Sequence, residues 1–482
     1  MKILFASAEV KPFSKVGGLA DVVGSLPKYL GKEAEIAIFT PLYGCIDKKK
    51  FGLKHLAHSR IKIQFGWSEN FFELYMAKLP GTKINVFFVD NPKYFGCFDC
   101  VYPFNIDERY SHERFISFSR AVLEYTQLLN FKPDVIHAND WHTGMLPVYL
   151  KTTYRDNEFF KNTKTIFSIH NLFHQGMFYD DVLDFAQIPK HEVMYSWGVE
   201  LFGHVNWMRG GINYADKVIT VSPTYAKEIQ TPEGGYNIDC TLRDNSYKLM
   251  GILNGIDTKE FDPKTDKLIA KNFDKKDLSG KIACKKDLCK KFGLKYKKNR
   301  PLIGMVSRLT DQKGFDLFWG IDDELKALNA DFIILGTGNM WLEFHFDHLS
   351  HTTENIRAYT KFSHELANQI YAGSDMFLMP SKFEPCGLSQ MLAMRYGTLP
   401  IVRVTGGLED TVVGHPYPKA NGFKFWDYDS SNMLNGIKYA LHVYKDKAEW
   451  GKLVKSAMSY DYSWKTSAKH YMDVYKELIS KE

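Results

Sequence analysis

Short apolar, β-branched runs alternate along almost the whole chain with longer segments that can hold helices. This is the βαβ pattern of parallel sheets in α/β proteins. A chain of 482 residues is also too long for one hydrophobic core and suits two domains. The sequence therefore predicts two α/β domains of Rossmann-like type. The predicted strands are 1–8, 35–41, 84–90, 135–138, 165–169, 217–221 and 249–253 in the first domain, and 301–306, 331–335, 355–359, 376–379 and 399–404 in the second.

Composition and charge narrow the possible partners. The net charge of +6 is small, and few aromatic residues accompany the lysines of 264–300, so no nucleic acid is expected and this segment is predicted to be a variable, solvated surface. Glu9 interrupts the N-terminal apolar run too early for a signal peptide, and no segment suits a membrane, which predicts a cytoplasmic protein. Seven cysteines indicate thiols rather than a disulfide framework, and the lone pair Cys97 and Cys100 does not predict a zinc site.

Polar residues follow three predicted strands of the first domain, at 139–142, 170–171 and 254–257. Open parallel sheets bind ligands at this edge. A lone histidine such as His170 is as readily a core residue, but three polar strand ends together favour a ligand site. The loop after the first strand carries Lys15 and ends in Gly17-Gly18 before a helix, which is the outline of an anion site. Within that helix, Pro27 is expected to cause a kink or an early end.

Two cations lie in the loop after the first strand of the second domain. Arg308 and Lys313 could neutralise a diphosphate leaving group without a metal, and no clustered aspartate pair indicates Mg²⁺. Two solvated surface charges are the alternative. Further along, Phe362 could stack on a purine or pack in the core.

The stretch 379–411 holds two strand–turn–helix units. In the first turn, Glu384 precedes the amides of Cys386 and Gly387, next to Leu388 at the start of a helix. In the second turn, Thr405-Gly406-Gly407 opens a helix with amides suited to a phosphate. A carboxylate for hydroxyls beside amides for an anion suits a sugar phosphate, whereas two ordinary turns of an α/β sheet are the alternative.

Several of these segments resemble bacterial glycogen synthases and plastid starch synthases. The resemblance is carried by KVGGLADVV, HANDWHTG, SIHNLFHQGMF, SRLTDQKG and FEPCGLSQM, and it runs nearly end to end except for about 264–299. It implies the GT-B architecture, in which two Rossmann-like domains face each other across a deep cleft. The implied domains are 1–260 on the acceptor side, with a C-terminal helix of about 463–482 packed on it, and 261–462 on the nucleotide-sugar side.

The resemblance implies a retaining transfer of glucose from ADP-glucose to the non-reducing end of an α-1,4-glucan, with no cofactor and no metal, in the bacterial cytosol or a plastid stroma. No nucleophile is assigned. Two alternatives stay open: another GT-B hexosyltransferase using UDP-glucose, and a catalytically silent glucan-binding relative. The chain departs from related proteins at Asn339, where this family often has Asp, and at Leu392, where the wider superfamily has a second Glu. The implied catalytic residues are Glu384, His170, Asp140, Arg308 and Lys313, and the implied substrate-binding residues are Lys15, Gly18, Asn254, Cys386, Gly387, Leu388, Phe362, Thr405, Gly406 and Gly407.

Overall fold

The computed structural model describes residues 1–104 and 106–480, and the chain divides into two compact units. The first unit comprises Met1–Val221, Ala226–Gly255 and the segment that begins at Trp464, and the second comprises Ser222–Tyr225 and Ile256–Ser463. The strands of the first unit are β1 (Lys2–Ala6), β2 (Glu35–Pro41), β3 (Lys54–His55), β4 (Ile61–Phe65), β5 (Ser68–Lys78), β6 (Asn85–Asp90), β7 (Val135–Asn139), β8 (Lys164–Ile169), β9 (Met177–Tyr179), β10 (Glu200–Leu201), β11 (His204–Asn206), β12 (Lys217–Thr220) and β13 (Leu249–Gly251).

The main sheet of the first unit has the Rossmann strand order. Its parallel part runs β13-β12-β8-β7-β1-β2-β6, so the order reverses between β1 and β7. The central strand β1 pairs Ile3 with Ile36 on one side and with Val135 on the other. Strands buried on both faces by helices read as continuous apolar runs, which is why the sequence pattern predicted them to within two residues.

Two antiparallel features of the first unit were absent from the sequence prediction. Strand β5 pairs antiparallel with β6, β3 and β4 at one edge of the main sheet. A separate small sheet has the order β10-β11-β9. The alternating burial along β5 is typical of a strand with one wet face, which a search for continuous apolar runs misses.

Helices cover the main sheet of the first unit. The helix after β1 continues through Pro27 to Leu30, so this proline does not shorten it as the sequence suggested. These helices are α1 (Gly18–Leu30), α2 (Glu108–Leu128), α3 (Met145–Lys151), α4 (Val182–Ala186), α5 (Trp207–Tyr214), α6 (Pro223–Glu228), which begins in the short segment assigned to the second unit, and α7 (Asp239–Asp244).

The second unit contains a fully parallel sheet. The strands are β14 (Leu302–Val306), β15 (Asp331–Leu335), β16 (Ile356–Tyr359), β17 (Met376–Met379), β18 (Leu399–Arg403) and β19 (Phe423–Phe425). The helices are α8 (Ser279–Lys291), α9 (Asp322–Ala327), α10 (Met340–Thr352), α11 (His364–Gly373), α12 (Ser389–Arg395), α13 (Gly406–Thr411), α14 (Ser430–Tyr444) and α15 (Lys447–Ala457).

The strand order of this sheet, β16-β15-β14-β17-β18-β19, is again the Rossmann order, with its reversal between β14 and β17. Ligands of such sheets bind outside the carboxyl ends of the strands at the point of reversal. The fold class predicted from the sequence, α/β with two Rossmann-like domains, is therefore confirmed.

Most lysines of the segment 264–300 are exposed, as the sequence predicted, but the segment is not solvated throughout. It contains α8, which buries Cys284, Leu288 and Cys289. The Lys285 amine lies 2.6 Å from Asp375 Oδ2 and is almost fully buried. The sequence pattern did not reveal this buried face, because the long aliphatic stem of a lysine can be buried and a lysine in the sequence does not show whether it is.

Lys281 joins the C-terminal ends of two helices. Its Nζ donates to the carbonyl of Ala372 in α11 at 3.0 Å, to the carbonyl of Tyr396 after α12 at 2.9 Å and to Thr398 Oγ1 at 2.7 Å. Burial lowers the pKa of this amine to about 7. The last carbonyls of a helix have no partner within the helix, so this amine completes two helix ends at once.

We expect Lys281→Met to destabilise the second unit by about 3 kcal/mol, because three buried acceptors each lose a hydrogen bond. Differential scanning calorimetry should show a lower unfolding temperature. Lys290→Met, at an exposed position of the same helix, is the matched control. Equal unfolding temperatures for the two variants would contradict the assigned role of Lys281.

The last helix, α16 (Trp464–Ser480), belongs to the first unit. Tyr475 Oη lies 2.7 Å from His137 Nδ1 of β7, and the Lys476 amine lies 2.9 Å from Glu33 Oε2. Among the described residues, no helix combines the length and the apolar character needed to cross a membrane. None of the seven cysteines, all of which are described, forms a disulfide.

Candidate active site

The candidate residues form two half-sites, one at the strand-order reversal of each sheet. In the second unit, the loop after β14 carries Arg308 and Lys313, and the loop after β17 carries Glu384. These strands are hydrogen-bonded neighbours, so residues 71 positions apart in sequence meet at one sheet edge. The half-site of the second unit comprises residues 308–313, 384–388 and 405–407, and that of the first unit comprises residues 9, 15–21, 139–140, 170 and 254.

Lys313 and Glu384 form a buried ion pair at the centre of this half-site. Lys313 Nζ lies 2.6 Å from Glu384 Oε2, and the two side chains are 17% and 6% exposed. The Ser381 hydroxyl donates to the same oxygen at 3.0 Å. In the described part of the chain, no group donates to Glu384 Oε1. This carboxylate is therefore fixed through one oxygen and can accept ligand hydroxyls with the other.

Arg308 differs from Lys313 in having no counter-ion. Its side chain is exposed, and its contact with Gln312 Oε1 is a long one of 3.5 Å. Within residues 1–104 and 106–480, no carboxylate lies at ion-pair distance from it. An unpaired guanidinium beside a lysine is suited to an anionic ligand such as a diphosphate.

A buried glutamine shapes the loop 384–388. Gln390 Nε2 donates to the carbonyls of Cys386 and Gly387, both at 3.0 Å, and to Thr411 Oγ1 at 3.1 Å. Gly387 has φ +71°, and a Cβ there would lie 2.5 Å from Gln390 Oε1. With these carbonyls held inward, the N–H groups of Gly387 and Leu388 donate to no group among the described residues. They are suited to bind an anion.

The turn 405–407 does not offer all the amides that the sequence predicted. The Gly407 N–H donates to the Glu384 carbonyl at 3.1 Å, so this amide is not available to a phosphate. A Cβ at Gly406 would lie 2.0 Å from the Glu384 carbonyl oxygen, and one at Gly407 2.1 Å from that of Cys386. The two glycines are needed because this turn packs directly on the loop that carries Glu384. A phosphate contact by Thr405 and Gly406 stays a prediction.

Three further positions of the second unit differ in their exposure and contacts. Phe362 is 84% exposed, which excludes the core-packing alternative and leaves its ring accessible. Asn339 caps α10 by accepting the Trp341 N–H at 2.9 Å. Asn and Asp are equally good at this position, so the departure from the family has little structural cost. Leu392 is buried, and its apolar side chain has no group that could hydrogen-bond a ribose.

In the first unit, Asp140 follows β7 in a strained conformation. Its backbone has φ 56° and ψ 177°, a region that is nearly restricted to glycine and costs about 1–3 kcal/mol for other residues. Its buried carboxylate accepts the His170 N–H at 2.7 Å. Strain of this kind persists where surrounding contacts hold a functional group in place.

The hydrogen bonds around His170 define its tautomer. Asn139 Nδ2 donates to the carbonyls of Ala6 and His137, so Asn139 Oδ1 is an acceptor. His170 Nε2 lies 2.9 Å from this oxygen and therefore carries the proton. Burial lowers the pKa of His170 to about 3, so the ring is neutral at pH 7. Its Nδ1 can then accept a hydrogen bond, but the ring cannot act as an acid at that pH.

We expect activity to fall as the pH drops through about 7. Burial raises the pKa of Asp140 to about 7, although the backbone N–H groups of His170 and Asn171 favour the charged form. An acid with a raised pKa is protonated below that value, and the proton removes the negative charge from the half-site. A profile of kcat/KM from pH 5.5 to 8.5 should show this acid limb, with a slope of about tenfold per pH unit. Asp140→Asn should have low, pH-independent activity; an unchanged acid limb in that variant would assign the titration to another group.

The loop 15–18 contains the cation and the glycine that the sequence predicted. Lys15 Nζ lies 2.7 Å from Asp21 Oδ2 of α1 and is half exposed. A Cβ at Gly18 would meet no atom within 4 Å, so open space lies next to its backbone. Asn254 is buried, and its Oδ1 has no hydrogen-bond partner in the described structure. This oxygen is available to accept a hydrogen bond from a ligand.

Sequence reasoning missed Asp21, Gln390 and Glu9 in these half-sites. Asp21 and Gln390 lie at helix positions where a polar residue carries no signal by itself. Glu9 was noticed only as an interruption of an apolar run. Within the described residues, no group of three or more His, Cys, Asp or Glu side chains is arranged to hold a metal ion.

The fold and the half-sites together define a glycosyltransferase of the GT-B class. Residues 289–456 match the family model "Glycosyl transferases group 1". The sucrose-phosphate synthase of Thermosynechococcus elongatus has the same fold, with a TM-score of 0.61 over all of both chains at 17% identity.

Relatives of higher sequence identity identify the family. Residues 2–244 match the family model "Starch synthase catalytic domain". The glycogen synthase of Pseudothermotoga lettingae is 43% identical with all of both chains covered, and that of Clostridioides difficile is 45% identical over 99% of this chain and all of the relative. The catalytic domain of starch synthase IV from Arabidopsis thaliana, solved with ADP and acarbose, is 34% identical with a TM-score of 0.91, covering 100% of this chain and 99% of that one. The chain belongs to the glycogen synthase and starch synthase family.

Proposed function

We propose that this glycosyltransferase moves glucose from ADP-glucose to the 4-hydroxyl at the non-reducing end of an α-1,4-glucan, with retention at the anomeric carbon. The observation that carries the proposal is the Lys313–Glu384 pair beside the unpaired Arg308 at the reversal point of the second sheet. It combines cations for a diphosphate with a carboxylate for sugar hydroxyls. The structure of a relative with ADP and acarbose supports both ligand types.

In the proposed reaction, the bond between the anomeric carbon and the diphosphate oxygen breaks, and a bond to the acceptor oxygen forms. The acceptor proton goes to the departing diphosphate, so a pair of carboxyl groups as in retaining glycosidases is not required. Arg308, Lys313 and Lys15 stabilise the charge that develops on the diphosphate, with the Gly387 and Leu388 amides as further donors.

We propose sugar or acceptor contacts for candidate residues of each unit. Glu384 accepts hydrogen bonds from sugar hydroxyls through Oε1, and its negative charge stabilises the positive charge that develops on the sugar ring. Neutral His170 accepts a hydrogen bond through Nδ1, and Asp140 binds a sugar or acceptor hydroxyl. Phe362 stacks on the base of the donor. We propose that the cations of the chain make a metal unnecessary.

The test is incorporation of labelled glucose into glycogen, with ADP-glucose and UDP-glucose offered separately and with a chelator present. Label from ADP-glucose in the polymer is the expected result. Label from UDP-glucose alone would support the alternative hexosyltransferase. Absence of label from both donors, with ADP binding intact in calorimetry, would support the silent glucan-binding alternative.

A further inference from the structure

Glu9 is a buried carboxylate, each oxygen of which accepts at least one hydrogen bond. Its side chain follows β1 and is 3% exposed. Oε2 accepts the backbone N–H groups of Val16 at 2.7 Å and Gly17 at 2.8 Å. Oε1 accepts the Tyr102 hydroxyl at 2.9 Å. The chain thus uses an internal anion to hold the backbone just before α1.

The amides that Glu9 binds form the kind of concave site that usually receives an external anion. Successive N–H groups before a helix attract negative charge, and the helix dipole adds to the attraction. Here the carboxylate fills that position from the protein side. The N–H groups of Gly18 and Leu19, next along the chain, donate to no group among the described residues. The open space at Gly18 lies beside them.

Residues 15–17, which precede α1, have few other buried contacts. Two residues of 15–18 are glycines, whose ordering on ligand binding has a large entropic cost unless the loop is already fixed. Val16 is 55% exposed, and the Lys15 ion pair with Asp21 is partly solvated. The bonds to Glu9 are therefore the main buried contacts of Val16 and Gly17, and they hold the backbone that leads into Gly18, the first residue of α1.

We propose that Glu9 is a positioning residue for donor binding, which fixes the loop 15–18 so that the Gly18 amide and Lys15 are preorganised for the diphosphate of the nucleotide sugar. This inference rests on the proposed function. Glu9 acts through the loop because its own oxygens are occupied by Val16, Gly17 and Tyr102. Tyr102 couples a second segment of the first unit to the same carboxylate.

The test compares Glu9→Ala and Glu9→Gln with the intact chain, using KM for donor and for glucan, kcat, and ADP affinity by calorimetry. Glu9→Ala should raise the donor KM and the ADP Kd about tenfold or more, with the glucan KM changed less than about twofold, because charge-assisted hydrogen bonds to the loop are lost. Glu9→Gln should restore both constants to within about threefold, since its amide oxygen can still accept both N–H groups.

Asp47→Ala is the matched control. Asp47 also accepts two backbone amides of a loop in the first unit, those of Lys49 and Lys50 at 2.9 Å, but it is exposed and outside the half-site. We expect it to leave the donor KM unchanged. An unchanged donor KM in Glu9→Ala would overturn the proposal, as would a parallel rise of donor and glucan KM with a lowered unfolding temperature.

If Glu9→Ala does not fold, Tyr102→Phe serves as the second variant. It removes one hydroxyl donor and should raise the ADP Kd about two- to fivefold; an unchanged Kd would overturn the proposal. The two hypotheses fail differently. The proposed function fails when the intact chain transfers no label, whereas the role of Glu9 is still decided by the ADP affinities of the variants.

Discussion

Glu384→Gln should still fold, with a lowered unfolding temperature because Lys313 loses its anionic partner, and should bind ADP as tightly as the intact chain or more tightly, while its turnover falls by about 10²–10³-fold. Glutamine has the same shape, and its amide oxygen can still accept from Lys313 and Ser381. Glutamine lacks the negative charge that binds the donor hydroxyls and stabilises the positive charge developing on the sugar. Lys313, without its anionic partner, is then more available to the phosphates. Initial rates of glucose transfer and calorimetric titration with ADP measure the two effects separately.

The control for this variant is Asp331→Asn. Asp331 also forms a buried ion pair in the second unit, with Arg300 Nε at 2.7 Å, but it lies at the start of β15, the opposite end of the strand from the half-site. Its loss should lower the unfolding temperature and leave turnover unchanged. Near-normal turnover in Glu384→Gln would refute the assignment of Glu384 to the donor sugar.

The architecture was predictable because parallel strands carry a strong signal. Most are buried on both faces and separated from the next by a helix-length segment, so continuous apolar runs mark them. The edge hairpins around β5 lack that signal, since one face of β5 is exposed to solvent. The buried face of α8 was hidden for another reason: Lys281 and Lys285 satisfy buried oxygens there, and a lysine pattern by itself does not distinguish this use from a solvated surface.

The places of the candidate residues were predictable individually, since most lie directly after a strand of a parallel sheet, while their roles stay predictions. Their pairings were not predictable. Lys313 was expected to face phosphates and Glu384 to face hydroxyls, yet the two are in contact, because the distance between the ends of β14 and β17 depends on strand order. Similarly, the glycines 406 and 407 indicated a phosphate turn, whereas the structure requires them for close packing on the loop of Glu384.

Within each unit, several groups suited to a donor already have an internal polar or charged partner. Lys313 is paired with Glu384, Lys15 with Asp21, and the amides before α1 with Glu9. Such pairing holds long side chains in one geometry before ligand arrives, which lowers the entropy lost on binding. Pairing also offsets part of the desolvation cost of each buried charge. The removal of one partner should therefore affect stability as well as activity.

Lys313→Met should destabilise the second unit by about 3 kcal/mol, because Glu384 is left buried without its cation. Turnover should also fall by about 10³-fold, since a diphosphate contact is lost. The double variant Lys313→Met/Glu384→Gln separates the two effects. It contains no unpaired charge, so its unfolding temperature should return most of the way to that of the intact chain while it remains inactive. Differential scanning calorimetry and the glucose-transfer assay provide the two measurements.

Lys424→Met is the matched control for burial. Lys424 Nζ and Glu409 Oε2 are also 2.6 Å apart, but Glu409 is 39% exposed, so water can solvate its carboxylate once the lysine is gone. The expected loss of stability is then at most about 1 kcal/mol. If the two lysine variants are destabilised equally, burial of Glu384 does not determine the cost. If the double variant stays as unstable as Lys313→Met, the lysine stabilises the fold through its packing, and the ion pair contributes to the chemistry alone.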